Sequence, residues 1–294
     1  MATFIGLFYH FEMDDMTMVA ELDKIFVYIV VPGLAGITFF ALAKFVRHIM
    51  PLRALVSSPQ TYHAAFWGFM VFGFYLGLRP VQVLAGPHPW PLIVSSLREF
   101  LLIGIFGPAA FIGMLTLCFG PEKIGKAWIG GTFGLGVLMA LTFCVVNGMA
   151  IGGSEEIVRM GRLTAYDGLW YKNKREDIDV LMQILFYIRL VNPGALLLVA
   201  GSFILYHAVR YPPFKKRLYD NMPKKLYILS IAVFIYSLSI IGGSLLYTFR
   251  KVPDQWGIYH LGSLIAGFLE AISLSMPVKS DVQVSEHRDS PLTS

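Results

Sequence analysis

A chain of 294 residues that is 56% hydrophobic and only 15% charged departs from soluble domains, in which roughly a quarter of residues are charged. The net charge of +5 comes from 24 Lys and Arg against 19 Asp and Glu. These bases fall between apolar runs and are not interleaved with aromatics, so the pattern speaks for membrane topology and against nucleic acid as a partner. With a mean hydropathy of +0.63 and repeated runs of the roughly 20 apolar residues that cross a bilayer, the chain is expected to be an all-α, polytopic membrane protein.

The N-terminal stretch, residues 1–24, reads "MATFIGLFYHFEMDDMTMVAELDK". It lacks the basic start of a cleavable signal and is expected to lie along the extracytoplasmic interface. Seven spans are predicted within 25–276, near 25–46, 62–85, 91–119, 128–152, 182–208, 226–248 and 255–276. The third either begins at Pro91 and buries Arg98 and Glu99, or begins near Leu101 after an interfacial helix. Residues 277–294 form a polar tail, expected to be disordered and cytoplasmic. Cys118 and Cys144 both fall inside predicted spans, so no disulfide framework is expected.

Short basic loops stay on the cytoplasmic side. Lys44, Arg47 and Arg53 follow the first span, Lys123 and Lys126 the third, and Arg210, Lys215, Lys216, Arg217, Lys224 and Lys225 the fifth. The other side carries Glu12, Asp14, Asp15, Glu21 and Asp23. The expected topology is therefore N-terminus outside and C-terminus inside. Seven helices in this orientation resemble the plan of receptors and rhodopsins, on topology alone. Retinal chemistry is excluded, because the last span, "QWGIYHLGSLIAGFLEAISLSMP", has no lysine for a Schiff base. A V-R-x-x-P echo between the exits of spans one and five hints at a 3+1+3 helix repeat of the kind found in small transporters.

Charges inside such segments are expensive unless paired, hydrated or used. Arg79 and Gln82 lie near the outer end of the second span, and Arg98 and Glu99 near the outer start of the third. Arg189 and Asn192 lie two turns into the fifth, and Tyr259 and His260 open the seventh. Their common depth suggests either an outer-leaflet pocket for a carboxylate, phosphate or lipid headgroup, or a structural set in which Glu99 pairs with Arg189 while the other arginines snorkel. The "FGP" at 106–108 and "NPG" at 192–194 are expected to bend their helices beside that set.

On the inner side, His63 and His207 would suit the two axial positions of a b-type haem if they faced one another, as in membrane cytochrome b subunits. Glu270 is expected to pair with an inward arginine such as Arg47, to serve a proton path or to stay neutral. Asn147 suggests an interhelical hydrogen bond, and the glycines of "GGTFGLG" at 130–136 close helix packing. In the 154–180 loop, "EEIVRMGRL" has the spacing of a short amphipathic helix.

No nucleophile elbow, HExxH or phosphate loop is present, so nothing in the sequence points to an enzyme. Three functions remain. The first is a seven-helix sensory or receptor-like module that binds an anionic or amphiphilic ligand in the outer pocket and signals to a cytoplasmic partner at loop 210–225. The second is a haem b electron-transfer subunit using His63 and His207, and the third a small solute transporter. Membrane lipids are the expected surroundings, and homo-oligomers are compatible with the sequence. The lack of an N-x-S/T sequon favours a bacterial inner membrane.

Overall fold

The computed structural model describes residues 25–48, 59–84, 90–151, 157–160, 163–166, 176–211, 221–250 and 256–276. Among them run seven long helices. Helix α1 comprises a π-helical turn, Phe26–Val30, and Val31–His48. Helix α2 is Pro59–Leu84. Helix α3 is Trp90–Glu99, a π-helical segment Phe100–Phe106, and Gly107–Phe119. Helix α4 is Lys126–Ile151. Helix α5 is Glu176–Arg189, a kinked π segment Leu190–Ala195, and Leu196–Val209. Helices α6 and α7 are Met222–Arg250 and Trp256–Ser275.

Five of these, over Phe26–His48, Leu92–Thr116, Lys126–Val146, Gln183–Val209 and Met222–Leu245, are long and apolar enough to cross a membrane. Helices α2 and α7, of 26 and 20 residues, carry Arg79 and Gln82, and Tyr259, His260 and Glu270. Large apolar side chains such as Trp67, Phe74, Trp128, Leu138, Leu238 and Phe268 face outward. In water such a surface would aggregate, whereas lipid solvates it. The chain thus has the build of a multi-pass helical membrane protein.

Each helix packs on its sequence neighbours, and α7 closes the set against α1. Helix α3 is the most central, touching α2, α4 and α5. Aromatic packing fills the middle: Phe39 of α1 meets Phe72 of α2 edge-on at 4.7 Å, and Phe72 stacks on Phe106 of α3 at 4.7 Å. The closest backbone approach joins α1 to α2, where a Cβ on Gly36 would lie 2.8 Å from the Gly77 nitrogen.

Three expectations are settled by this architecture. Helix α3 runs without a break from Trp90, so Arg98 and Glu99 are interior and the interfacial-helix alternative falls. Of the 130–136 glycines, Gly136 abuts Pro108, but Gly130, Gly131 and Gly134 meet nothing within 4 Å, so close packing holds at one position only. Finally, the "EEIVRMGRL" stretch forms no helix. Strands β1 (Ile157–Met160) and β2 (Leu163–Tyr166) pair antiparallel, with Met160 opposite Leu163. The β-branched Ile157 and Val158, and a Gly-first pair between the strands in sequence, favour a hairpin over the helical spacing. The 1–24 segment and the 277–294 tail lie outside the described residues.

The glycine contacts predict a contrast. Gly36→Val should lower stability by about 1–3 kcal/mol, the range for overpacking. Gly130→Val, in open space, should change it by no more than about 0.5 kcal/mol. Unfolding of the detergent-solubilised protein, followed by circular dichroism, measures both.

Candidate functional site

The end of the bundle where α2 finishes and α3, α5 and α7 begin gathers all eight polar residues singled out in the sequence. None of Arg79, Gln82, Arg98, Glu99, Arg189, Asn192, Tyr259 and His260 is more than 7% exposed. Buried charge on this scale must be compensated inside the protein. Arg189 donates through Nη2 to Glu99 Oε1 at 2.6 Å and through Nε to Glu99 Oε2 at 3.3 Å, a two-pronged pair between α5 and α3. Gln82 Oε1 accepts from both Arg79 Nη1 at 3.0 Å and Arg98 Nη1 at 2.6 Å. Arg98 Nε donates to the Tyr75 carbonyl at 2.9 Å.

Each guanidinium also lies over an aromatic ring: Arg79 over Tyr28 at 4.9 Å, Arg98 over Tyr75 at 4.7 Å and Arg189 over Phe143 at 4.8 Å. A ring face carries partial negative charge, and its attraction for a cation grows as water is removed. The arginines therefore do not snorkel out of the bundle. The groups that hold them within it include the Glu99 carboxylate, the Gln82 amide, the Tyr75 carbonyl and three rings.

The backbone around this cluster is irregular in a matched way. Glu99 directly precedes the π segment of α3, and Arg189 directly precedes that of α5. At Asn192, φ −135° and ψ 114° interrupt the helix before Pro193, so "NPG" bends α5 as its sequence suggests. The bend frees backbone groups, and neighbours satisfy them. Asn192 Nδ2 donates to the Ile103 carbonyl in α3 at 2.8 Å, and Ser237 Oγ of α6 donates to the Gly194 carbonyl at 2.7 Å. Gly107 is needed where it stands, since a Cβ there would collide with the Asn192 side chain. Gln82 Nε2, Asn192 Oδ1 and His260 Nδ1 make no hydrogen bond among the described residues.

Along α7, Tyr259, Ser263, Gly267 and Glu270 share one face, and that face leads from the cluster to a cavity of about 350 Å³. The cavity lies toward the C-terminal ends of α1, α3, α5 and α7, and all seven helices contribute to its wall. Phe39, Phe69, Phe72, Phe106 and Tyr236 make that wall largely aromatic. None of the eight cluster residues lines it. Phe72, Tyr75, Phe106 and Tyr236 form the partition between cluster and cavity, with Phe72 edge-on to Tyr236 at 5.0 Å. Tyr236 belongs to both sides: it lines the cavity, and its hydroxyl meets that of Tyr259 at 3.5 Å.

Glu270 lines the cavity and forms neither an ion pair nor a hydrogen bond among the described residues. The expected pairing with Arg47 is not made, because Arg47 lies over the Phe66 ring at 5.2 Å. Lys225, read in sequence as a loop base, is buried at the start of α6. Its Nζ donates to the Leu274 carbonyl at 3.5 Å, and its own carbonyl accepts from Ser273 Oγ at 2.8 Å. It thus caps the C-terminal end of α7, where a cation is favoured.

Of the two histidines His63 and His207, only His207 has a described side chain. His207 packs edge-on against Phe119 at 5.3 Å and Tyr206 at 5.8 Å, on a helix whose main partners are α3 and α6. His63 is on α2, which packs chiefly on α1 and α3; its side chain lies outside the described residues, as does that of Asn147. Tyr28, Tyr75, Phe143 and Tyr236 escaped the sequence reading, although Tyr75, Arg79 and Gln82 share one face of α2 at helical spacing.

Two substitutions probe the cluster. Gln82→Leu removes the acceptor common to two buried guanidiniums and should cost at least about 1–3 kcal/mol, while Asn192→Ala, which strands the Ile103 carbonyl, should cost about 1–3 kcal/mol. Chemical denaturation in detergent reads both. No protein-family model, curated protein or solved structure matches this chain, so its function is read from the geometry itself.

Proposed function

We propose that this chain is a receptor-like membrane module whose helices enclose a binding site for an amphiphilic ligand. In this reading seven spans cross a bacterial inner membrane, with the N-terminus outside and the C-terminus in the cytoplasm. Occupancy of the site is passed through α5–α7 to the 210–225 segment or to a partner that docks there. The observation that carries the reading is the cavity of about 350 Å³, with aromatic walls, that adjoins the buried cluster and shares Tyr236 with it. Its size and its apolar lining with few polar groups are those of a small-molecule site, for which about 300–1,000 Å³ is usual.

The geometry favours the cavity over the arginine cluster as the place where ligand sits. The guanidiniums and the carboxylate of the cluster are engaged with their neighbours, whereas the cavity has room. The cluster then serves as the coupling element. A ligand that displaces Phe106 or Tyr236 acts on α3 at the last residue of its π segment and, through Tyr259, on α7. Irregular helical turns of this kind have alternative registers close in energy, and they recur at functional sites. A ligand shifts such an equilibrium only by as much as it prefers one state.

Filling the cavity tests the reading. Mass spectrometry of small molecules co-purified with the wild-type chain should find a stoichiometric amphiphile that falls several-fold in Ala110→Trp; equal retention in both contradicts the proposal. Orientation has its own test. Green fluorescent protein fused after Ser294 should fluoresce, because it matures in the cytoplasm, and a dark, periplasmic fusion would invert the topology.

A further inference from the structure

The ligand's polar head can be assigned from the charge that lines the cavity. Among the described residues that line it, Glu270 is the one ionisable carboxyl, and no Lys, Arg or His joins it there. The nearby hydroxyls are already engaged. Ser263 Oγ donates to the Tyr259 carbonyl at 2.8 Å, Thr116 Oγ1 to the Ile112 carbonyl at 2.8 Å, and Tyr236 is shared with Tyr259. The cations that might neutralise Glu270 are spent elsewhere: Arg189 on Glu99, Arg98 on Gln82 and Tyr75, and Lys225 on the end of α7. A carboxylate facing an apolar cavity without a partner among the described residues favours a cationic guest. Aromatic walls add to that preference, because ring faces attract cations and repel anions.

We infer that the cavity takes an amphiphile whose head is a protonated amine, with Glu270 as its counter-ion and the phenylalanine-rich wall as the bed for its apolar body. The inference rests on the cavity being the ligand site. It also reverses the sign of ligand that the arginines suggest in sequence. One charge-assisted contact in a desolvated site gives the amine roughly a tenfold or greater advantage over a neutral analogue of the same shape.

Three probes of matched size separate the possibilities: phenethylamine, phenethyl alcohol and phenylacetate. Each is titrated by equilibrium dialysis against the full chain in lipid nanodiscs, with empty nanodiscs as the reference. The wild-type chain should bind the amine at least about tenfold tighter than the alcohol and should not bind phenylacetate measurably. Glu270→Gln should abolish the amine's advantage over the alcohol, and an unchanged circular-dichroism melt shows that the variant is folded. Equal binding of amine and alcohol to the wild type, or an amine preference that survives in Glu270→Gln, overturns the amine assignment and leaves the cavity as a ligand site. Failure of all three probes to bind overturns both.

Discussion

The two-pronged bond from Arg189 to Glu99 is the contact on which the rest of the interior depends. It joins α5 to α3 at the residue that precedes a π segment in each, so both helices depart from regular geometry at their point of attachment. In a low-dielectric interior the desolvation of two charges is repaid only by close geometry with further hydrogen bonds. Here the bond is bidentate, and the Arg189 guanidinium rests on Phe143 of α4. The kink that follows in α5 brings Asn192 to the Ile103 carbonyl and exposes the Gly194 carbonyl to Ser237. Four helices are thereby fixed to one another around a single ion pair.

With Glu99 committed to Arg189, the remaining two arginines of the set share Gln82, an uncharged acceptor. This explains why the cluster is dense in contacts and why the free volume opens elsewhere. The interior divides into a half held by polar bonds and a half walled by rings. Tyr236 and Tyr259 bridge the two halves.

Much of this was legible in the sequence. Apolar runs located all seven helices, because span length is dictated by hydrophobic thickness, and the cost of intramembrane charge marked all eight cluster residues. The pairing of Glu99 with Arg189 was one of two readings that charge balance allowed. Other features were not legible, for physical reasons. The aromatic supports come from α1, α2 and α4, and nothing in an apolar run distinguishes a phenylalanine under a guanidinium from one facing lipid. The cavity is a property of seven helices at once. Glu270 has no ion-pair partner among the described residues and Arg47 lies over a ring on α2, an outcome that depends on tertiary placement. At Ile157–Met160 the helical spacing of Ile157, Met160 and Leu163 competed with β-branching, and strand pairing prevailed.

The central claim is that the protein itself, not a ligand, neutralises Glu99. A double-mutant cycle over Glu99→Gln and Arg189→Gln, read by unfolding of the purified protein, tests it most directly. Each single change should cost about 3–5 kcal/mol, because it leaves one buried charge unpaired. The double variant should cost less than the sum by about 2 kcal/mol or more, the coupling of residues in direct contact. Strict additivity, or single variants as stable as the wild type, would contradict the account.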